Sequence, residues 1–183
     1  MKRLTPIFLL GLIALFSCEP NNPFDLGPQY DYEGNLAKDR VKIDAYLDTA
    51  KIDSLYRIHD PSGVVIIVQE EGVGSRPRTN TVVYTDYTGF LMETGKVFDT
   101  SYEDVARAND IFDEDRNYIP LDFILNTNQV ILGWDVGFSR LRPKSKAVLV
   151  VPSPLGYRDQ KQEKAGIPEN SILVFNVDFL GID

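Results

Sequence analysis

The sequence predicts an α+β fold: a curved antiparallel sheet of five to six strands wrapped around one short helix. Two patterns and one absence predict it. Short runs rich in β-branched and aromatic residues recur between Gly, Pro and Asn clusters from Val64 onward. Among them stands one segment of a different period, Asn128–Leu141 (NQVILGWDVGFSRL), which holds the only tryptophan. There Val130-Ile131 reads as a strand end or turn, and Trp134 to Leu141 as a short helix with one apolar face. Finally, Cys18 is the only cysteine, so no internal disulfide is available. The residues from Pro61 to Asp183 must therefore hold together through a single core.

The elements follow in order. Met1-Lys2-Arg3 is basic, Ile7–Phe16 is almost wholly apolar, and Leu15-Phe16-Ser17 leads to Cys18. Residues 1–17 read as a secretory signal, the apolar run being shorter than the ~20 residues a bilayer span requires. The lone cysteine after Leu-Phe-Ser resembles a bacterial lipoprotein box. That resemblance implies cleavage before Cys18, lipidation of Cys18, and a membrane contact through the lipid in the cell envelope. An ordinary signal peptide with a chance cysteine is the alternative.

Residues 18–38, with Pro20, Pro23, Pro28, Gly27 and Gly34, read as a tether. Asp25, Asp31 and Glu33 within it read as solvated acids rather than a metal site. Residues 39–60 read as a lead-in helix segment. Asp39 is its expected cap, and Ile43, Tyr46, Leu47 and Ala50 form a stripe that packs on the domain or docks a partner. His59 precedes a turn and reads as a loop residue.

Residues 61–183 form the expected domain. Val64–Gln69, Thr81–Thr88, Lys96–Thr100, Leu121–Leu125, Ala147–Val151 and Ser171–Leu180 read as strands, mostly joined by tight turns. The chain carries 27 acidic and 19 basic residues. Cleavage before Cys18 removes two of the basic ones. A surface so acidic repels phosphate backbones and excludes a nucleic-acid partner.

Trp134 has two readings at this level: a core anchor, or the floor of a pocket rimmed by Val130 and Ile131. Five segments bear on the choice. Val82–Gly89 (VVYTDYTG), Gly95–Ser101 (GKVFDTS), Gln129–Gly137 (QVILGWDVG), Val151–Tyr157 (VPSPLGY) and Gly166–Phe175 (GIPENSILVF) together, in this order, resemble the FKBP-type peptidyl-prolyl cis–trans isomerases. The resemblance covers the chain from Gly63 to Ile182 and implies that family's sheet-around-helix fold. Residue by residue it implies a catalytic set of Tyr87, Phe98, Asp99, Trp134, Tyr157 and Phe175. It also implies substrate-binding positions at Val130, Ile131 and Ile167, and at Leu121 where the family usually carries a phenylalanine. The Cys18-Glu19 start also resembles lipoprotein isomerases of Bacteroidetes-type bacteria, including gliding-associated ones.

The chemistry implied is rotation about an X–Pro bond, which faces a barrier of ~18–20 kcal/mol from amide resonance. It needs no metal, cofactor or nucleophile. A dry aromatic pocket disfavours the polar planar amide relative to the twisted one. The implied partners are proline-containing polypeptides. Two features depart from the family pattern: Tyr102–Ile119 is a long charged insertion, in which Arg116 is a candidate neighbour of Asp99, and Arg158 replaces a glycine after Tyr157. The insertion motivates the rival reading, a catalytically weak chaperone or assembly module of an envelope complex.

Overall fold

A computed structural model describes residues 29–183. The expected signal segment, Cys18 and most of the tether lie outside the described residues. The element order is α1 (Tyr32–Thr49), β1 (Tyr56–His59), β2 (Val65–Glu70), β3 (Val82–Leu91), β4 (Val97–Thr100), α2 (Glu103–Ala108), β5 (Leu121–Ile124), α3 (Leu132–Arg140), β6 (Lys146–Val151) and β7 (Leu173–Ile182). A 3-10 turn spans Ser153–Leu155. All strand pairs are antiparallel, in the order β1-β2-β6-β7-β3-β4, with β5 also on β3. The α+β fold with an antiparallel sheet around a short helix is thus present, with seven strands rather than five or six.

The chain packs on both faces of this sheet. On one face α3 meets a cluster that includes Val64, Ile66, Tyr87, Phe98, Phe123, Leu149 and Phe175. On the other, Ile43 and Leu47 of α1 pack on Val65, Ile67, Val148, Val150, Ile172 and Val174. Neighbouring residues of β2 and β6 are therefore buried in opposite directions. This is the physical reason that VVIIV and AVLVV read as unbroken apolar runs. β3, only partly covered on its second face, alternates strictly between half-buried and buried.

Close approach of α3 to the sheet depends on two glycines one turn apart. A Cβ at Gly137 would lie 2.8 Å from Leu149 Cδ1, and one at Gly133 would collide with Val151 Cγ1. The helix seats directly on β6 because neither position carries a side chain. At its far end Arg140 donates twice to Asp60 Oδ2, at 2.9 and 2.6 Å, tying α3 to the β1–β2 turn. Burial pushes the Asp60 carboxyl up. The Ser62 N–H and the Arg140 guanidinium outweigh it and hold the group below its ordinary range.

Several local expectations are corrected. α1 starts at Tyr32, so residues 32–38 are helix and not tether. Gly34 and Asn35 are poor helix formers and read as turn residues. The Asp31 side chain offsets this by accepting from the Gly34 N–H at 2.9 Å as the N-cap. Asp39 is therefore inside the helix and caps nothing there. Tyr56–His59 is not helical but forms β1, the outer strand paired to β2, and His59 ends it. Its four residues are too few and too polar to carry a strand signal without their neighbour. The strands are not mostly joined by tight turns either. Only β1–β2 and β3–β4 are short hairpins, and the remaining links cross over or run through α2, α3 and the 152–172 loop.

Candidate active site

The site grows from a break in the sheet. One edge of β3 pairs with β5 over Val82–Thr85 and with β4 over Thr88–Phe90. Between the two partners the ladder is closed by one backbone bond, from the Ser101 N–H to the Tyr87 carbonyl at 3.0 Å, and by side chains. The Tyr87 N–H donates to Ser101 Oγ at 2.9 Å, the Thr100 hydroxyl donates to the Tyr87 carbonyl at 2.9 Å, and Ser101 Oγ donates to Asp86 at 2.7 Å. Buried hydroxyls thus satisfy the backbone that the strands leave open, and they fix Tyr87 with its ring toward α3.

Trp134 receives that ring. The two are edge to face, 5.1 Å apart, and Phe175 of β7 meets the indole in the same way at 5.3 Å. Phe123 and Phe138 complete the surround at 5.7 and 5.4 Å. Phe98 of β4 lies edge to face with Phe175 at 5.7 Å. Room for that pair comes from Gly89, where a Cβ would lie 2.8 Å from both rings. Such pairs add ~0.5–1.5 kcal/mol each to simple burial, so the aromatic box holds its shape. The indole N–H is buried and has no hydrogen-bond partner among the described residues.

Above the indole opens a cavity of about 320 Å³ lined by Tyr87, Phe98, Asp99, Leu121, Gln129, Val130, Ile131, Trp134, Tyr157 and Phe175. Nine of the ten residues nominated from the sequence meet here. The exception is Ile167. It belongs to the 152–172 loop, is 1% exposed, bridges to Gln162 and is buried in the same core cluster as Trp134 and Phe175. Gln129 was missed. Its side chain accepts from the Ile124 N–H at 2.8 Å and closes the turn before α3, a role with no sequence signature.

One wall is polar. Tyr87 donates to Asp99 Oδ2 at 2.6 Å. Arg116 pairs with Asp99 Oδ1 and reaches the Tyr87 hydroxyl at 3.3 Å. Burial first, then the Asp99 charge, raises the Tyr87 phenol well above its ordinary range. The same two causes raise Tyr157. Both hydroxyls therefore remain protonated donors at neutral pH. Arg116 is itself supported by the insertion: its guanidinium lies 5.3 Å from the Tyr118 ring, Tyr118 stacks on Phe112 at 5.6 Å, and Arg107 covers Phe112 at 3.5 Å. The insertion thus folds into α2 and a stacked strut, and the cavity stays open.

Two donors are unspent. The Ile131 N–H, at the N-cap of α3, makes no backbone hydrogen bond among the described residues. The Tyr157 hydroxyl, half-buried in the cavity wall, makes no hydrogen bond among them. The loop carrying Tyr157 turns through Arg158 at φ +57°, the left-handed region that favours glycine, in keeping with the glycine usual there in the family.

Residues 74–180 match the family model described as FKBP-type peptidyl-prolyl cis-trans isomerase. The chain is 36% identical over 121 residues to the FKBP-type peptidyl-prolyl cis-trans isomerase FkpA of Escherichia coli K12, a match covering 66% of this chain and 38% of FkpA. It is 36% identical over 107 residues to FK506-binding protein 1 of Saccharomyces cerevisiae, covering 58% and 81% of the two chains. Among solved structures, FkpA from Escherichia coli superposes with a TM-score of 0.59 at 30% identity, covering 83% of this chain and 62% of that one. The N-terminal domain of FKBP42 from Arabidopsis thaliana shares the fold, with a TM-score of 0.60 at 18% identity over 73% and 96% of the chains. With more than half its length matched by the family model, and with the aromatic cavity built as the sequence implied, this chain belongs to the FKBP-type peptidyl-prolyl cis–trans isomerase family.

Proposed function

We propose that the cavity over Trp134 binds a prolyl ring and accelerates cis–trans exchange of the preceding amide. The observation that carries this reading is the cavity itself: a box of aromatic and aliphatic walls holding two donors with no partner of their own, the Ile131 N–H and the Tyr157 hydroxyl. Trp134, Phe98, Phe175, Val130, Ile131 and Leu121 exclude water from the ring. Removing water penalises the planar, resonance-polarised amide more than the twisted one, and the difference lowers the barrier. The Ile131 N–H holds the substrate chain, and the Tyr157 hydroxyl donates to a substrate carbonyl. Asp99 and Arg116 form a paired, near-neutral wall that orients Tyr87. Each ~1.4 kcal/mol of selectivity for the twisted amide is tenfold in rate.

The substrates are proline-containing stretches of unfolded or extended polypeptide, since the cavity takes one ring and is open on one side. With the signal-like start and Cys18, this supports a folding catalyst of exported proteins, held in the cell envelope by lipid on Cys18. The test is an exchange assay on a short X–Pro peptide with wild type, Asp99→Ala and Trp134→Leu. Loss in both variants, with the fold retained, supports pocket catalysis. Undiminished exchange in both removes this site from the reaction.

A further inference from the structure

Asp39 takes no part in the site described above, yet its surroundings are unusual for a carboxylate. It lies on the buried side of α1 and is 4% exposed. Its Oδ2 accepts two hydrogen bonds from one residue 114 positions away, from the Ser153 N–H at 2.7 Å and the Ser153 hydroxyl at 2.6 Å. A carboxylate is costly to bury, and removing one partner of such a pair costs more than the pair contributes. A leucine would cover the sheet as well. The acid makes sense only through what Ser153 holds.

Ser153 is fully buried and opens the 3-10 turn that leads into the cavity wall. Its N–H and hydroxyl point to α1. Its carbonyl accepts from the Gly156 N–H at 3.1 Å and from the Arg158 N–H at 3.0 Å. Tyr157 stands between those two donors. The phenol that enters the pocket is therefore hung on Ser153, and Ser153 is gripped from the other side by Asp39. We propose that Asp39 is a positioning residue for Tyr157, so that α1, which precedes the matched family region, sets the aim of a pocket hydroxyl. This rests on the isomerase reading for its catalytic consequence, but not for its structural one.

The test is a double-mutant cycle between Asp39 and Tyr157, read as kcat/KM for X–Pro exchange, together with the ring resonances of Tyr157 in protein carrying 13C-labelled tyrosine. Asp39→Ala is expected to lower kcat/KM by about tenfold, the equivalent of one strong hydrogen bond misplaced, and to move the Tyr157 resonances. Asp39→Asn is the rescue, because both bonds fall on a single oxygen that an amide also supplies; most of the lost rate and the resonance position return. In a Tyr157→Phe background the further loss from Asp39→Ala shrinks to under about twofold, since the hydroxyl it aims is gone. If Asp39→Ala does not fold, Ser153→Ala, which deletes one of the two bonds, carries the same cycle with a smaller expected loss. Additive losses, or unmoved Tyr157 resonances in a folded Asp39→Ala protein, overturn the proposal. An inactive wild type sinks the isomerase reading instead, and the resonances then decide the clamp by themselves.

Discussion

Replacing Tyr87 by phenylalanine removes one oxygen and leaves the rest of the pocket's aromatic frame in place. The ring keeps its edge-to-face contact with Trp134 at 5.1 Å. What is lost is the hydrogen bond to Asp99 Oδ2 at 2.6 Å and the 3.3 Å contact from Arg116. A hydrogen bond to a charged group contributes ~1.5–3 kcal/mol. Asp99 keeps the Thr100 N–H and Arg116, and its side chain is 36% exposed, so the lower end of that range applies.

The effect carries a pH signature. Burial and the Asp99 charge raise the Tyr87 phenol in the folded protein above its ordinary value of 10.0. Above that pH the unfolded chain gives up the proton and the folded one retains it. The unfolded state then binds fewer protons, and stability falls by about 1.4 kcal/mol per pH unit from this group alone. Tyr87→Phe lacks this slope. Its stability deficit against wild type should therefore be constant from pH 7 to 9 and shrink from pH 10 to 11. Urea unfolding midpoints of both proteins across that range measure it, other titrating groups cancelling in the difference. A deficit that stays constant through pH 11 would refute the assignment of a buried, charge-coupled phenol.

Three other substitutions test separate parts of the fold. Phe112→Ala takes away the middle of the Arg107–Phe112–Tyr118 stack; exchange activity should fall several-fold with less than about 1 kcal/mol lost in stability, the strut being exposed, and unchanged activity would separate the insertion from the site. Gly133→Ala puts a methyl group into Val151; a cost of about 1–3 kcal/mol is expected in calorimetry or denaturant melts, with α3 and Trp134 displaced. Asp60→Asn weakens the bond to Arg140; because the folded carboxyl is held below its ordinary range, the deficit against wild type should be full above pH ~5 and vanish as pH falls through the folded value, which acid-unfolding curves at matched ionic strength would reveal.

The strand runs and the α3 segment were legible because their periods are local properties of the chain. Where the reading slipped, a distant partner supplied the missing stability. Asp31 begins α1 in spite of Gly34 because the helix then buries Leu36 and seats Ile43 and Leu47 on the back of the sheet. β1 exists because β2 offers it a ladder.

Sequence by itself indicated the antiparallel sheet and the helix carrying Trp134, because side-chain alternation survives without coordinates; nine of the ten cavity residues came through the family resemblance that the ordered motifs carry. With the flanking motifs, the sequence already points to Trp134 both closing the core and flooring a pocket, and the structure supplies the packing: four aromatic rings hold the indole in the core while the cavity opens beside it. Tertiary structure turned the candidate pairing of Arg116 with Asp99 into a contact across the insertion, and it alone decided that Asp39 grips Ser153 behind Tyr157. Those contacts join residues 17 and 114 positions apart. No periodicity encodes them, since their energy depends on burial and direction that exist only once the sheet has closed around its helix.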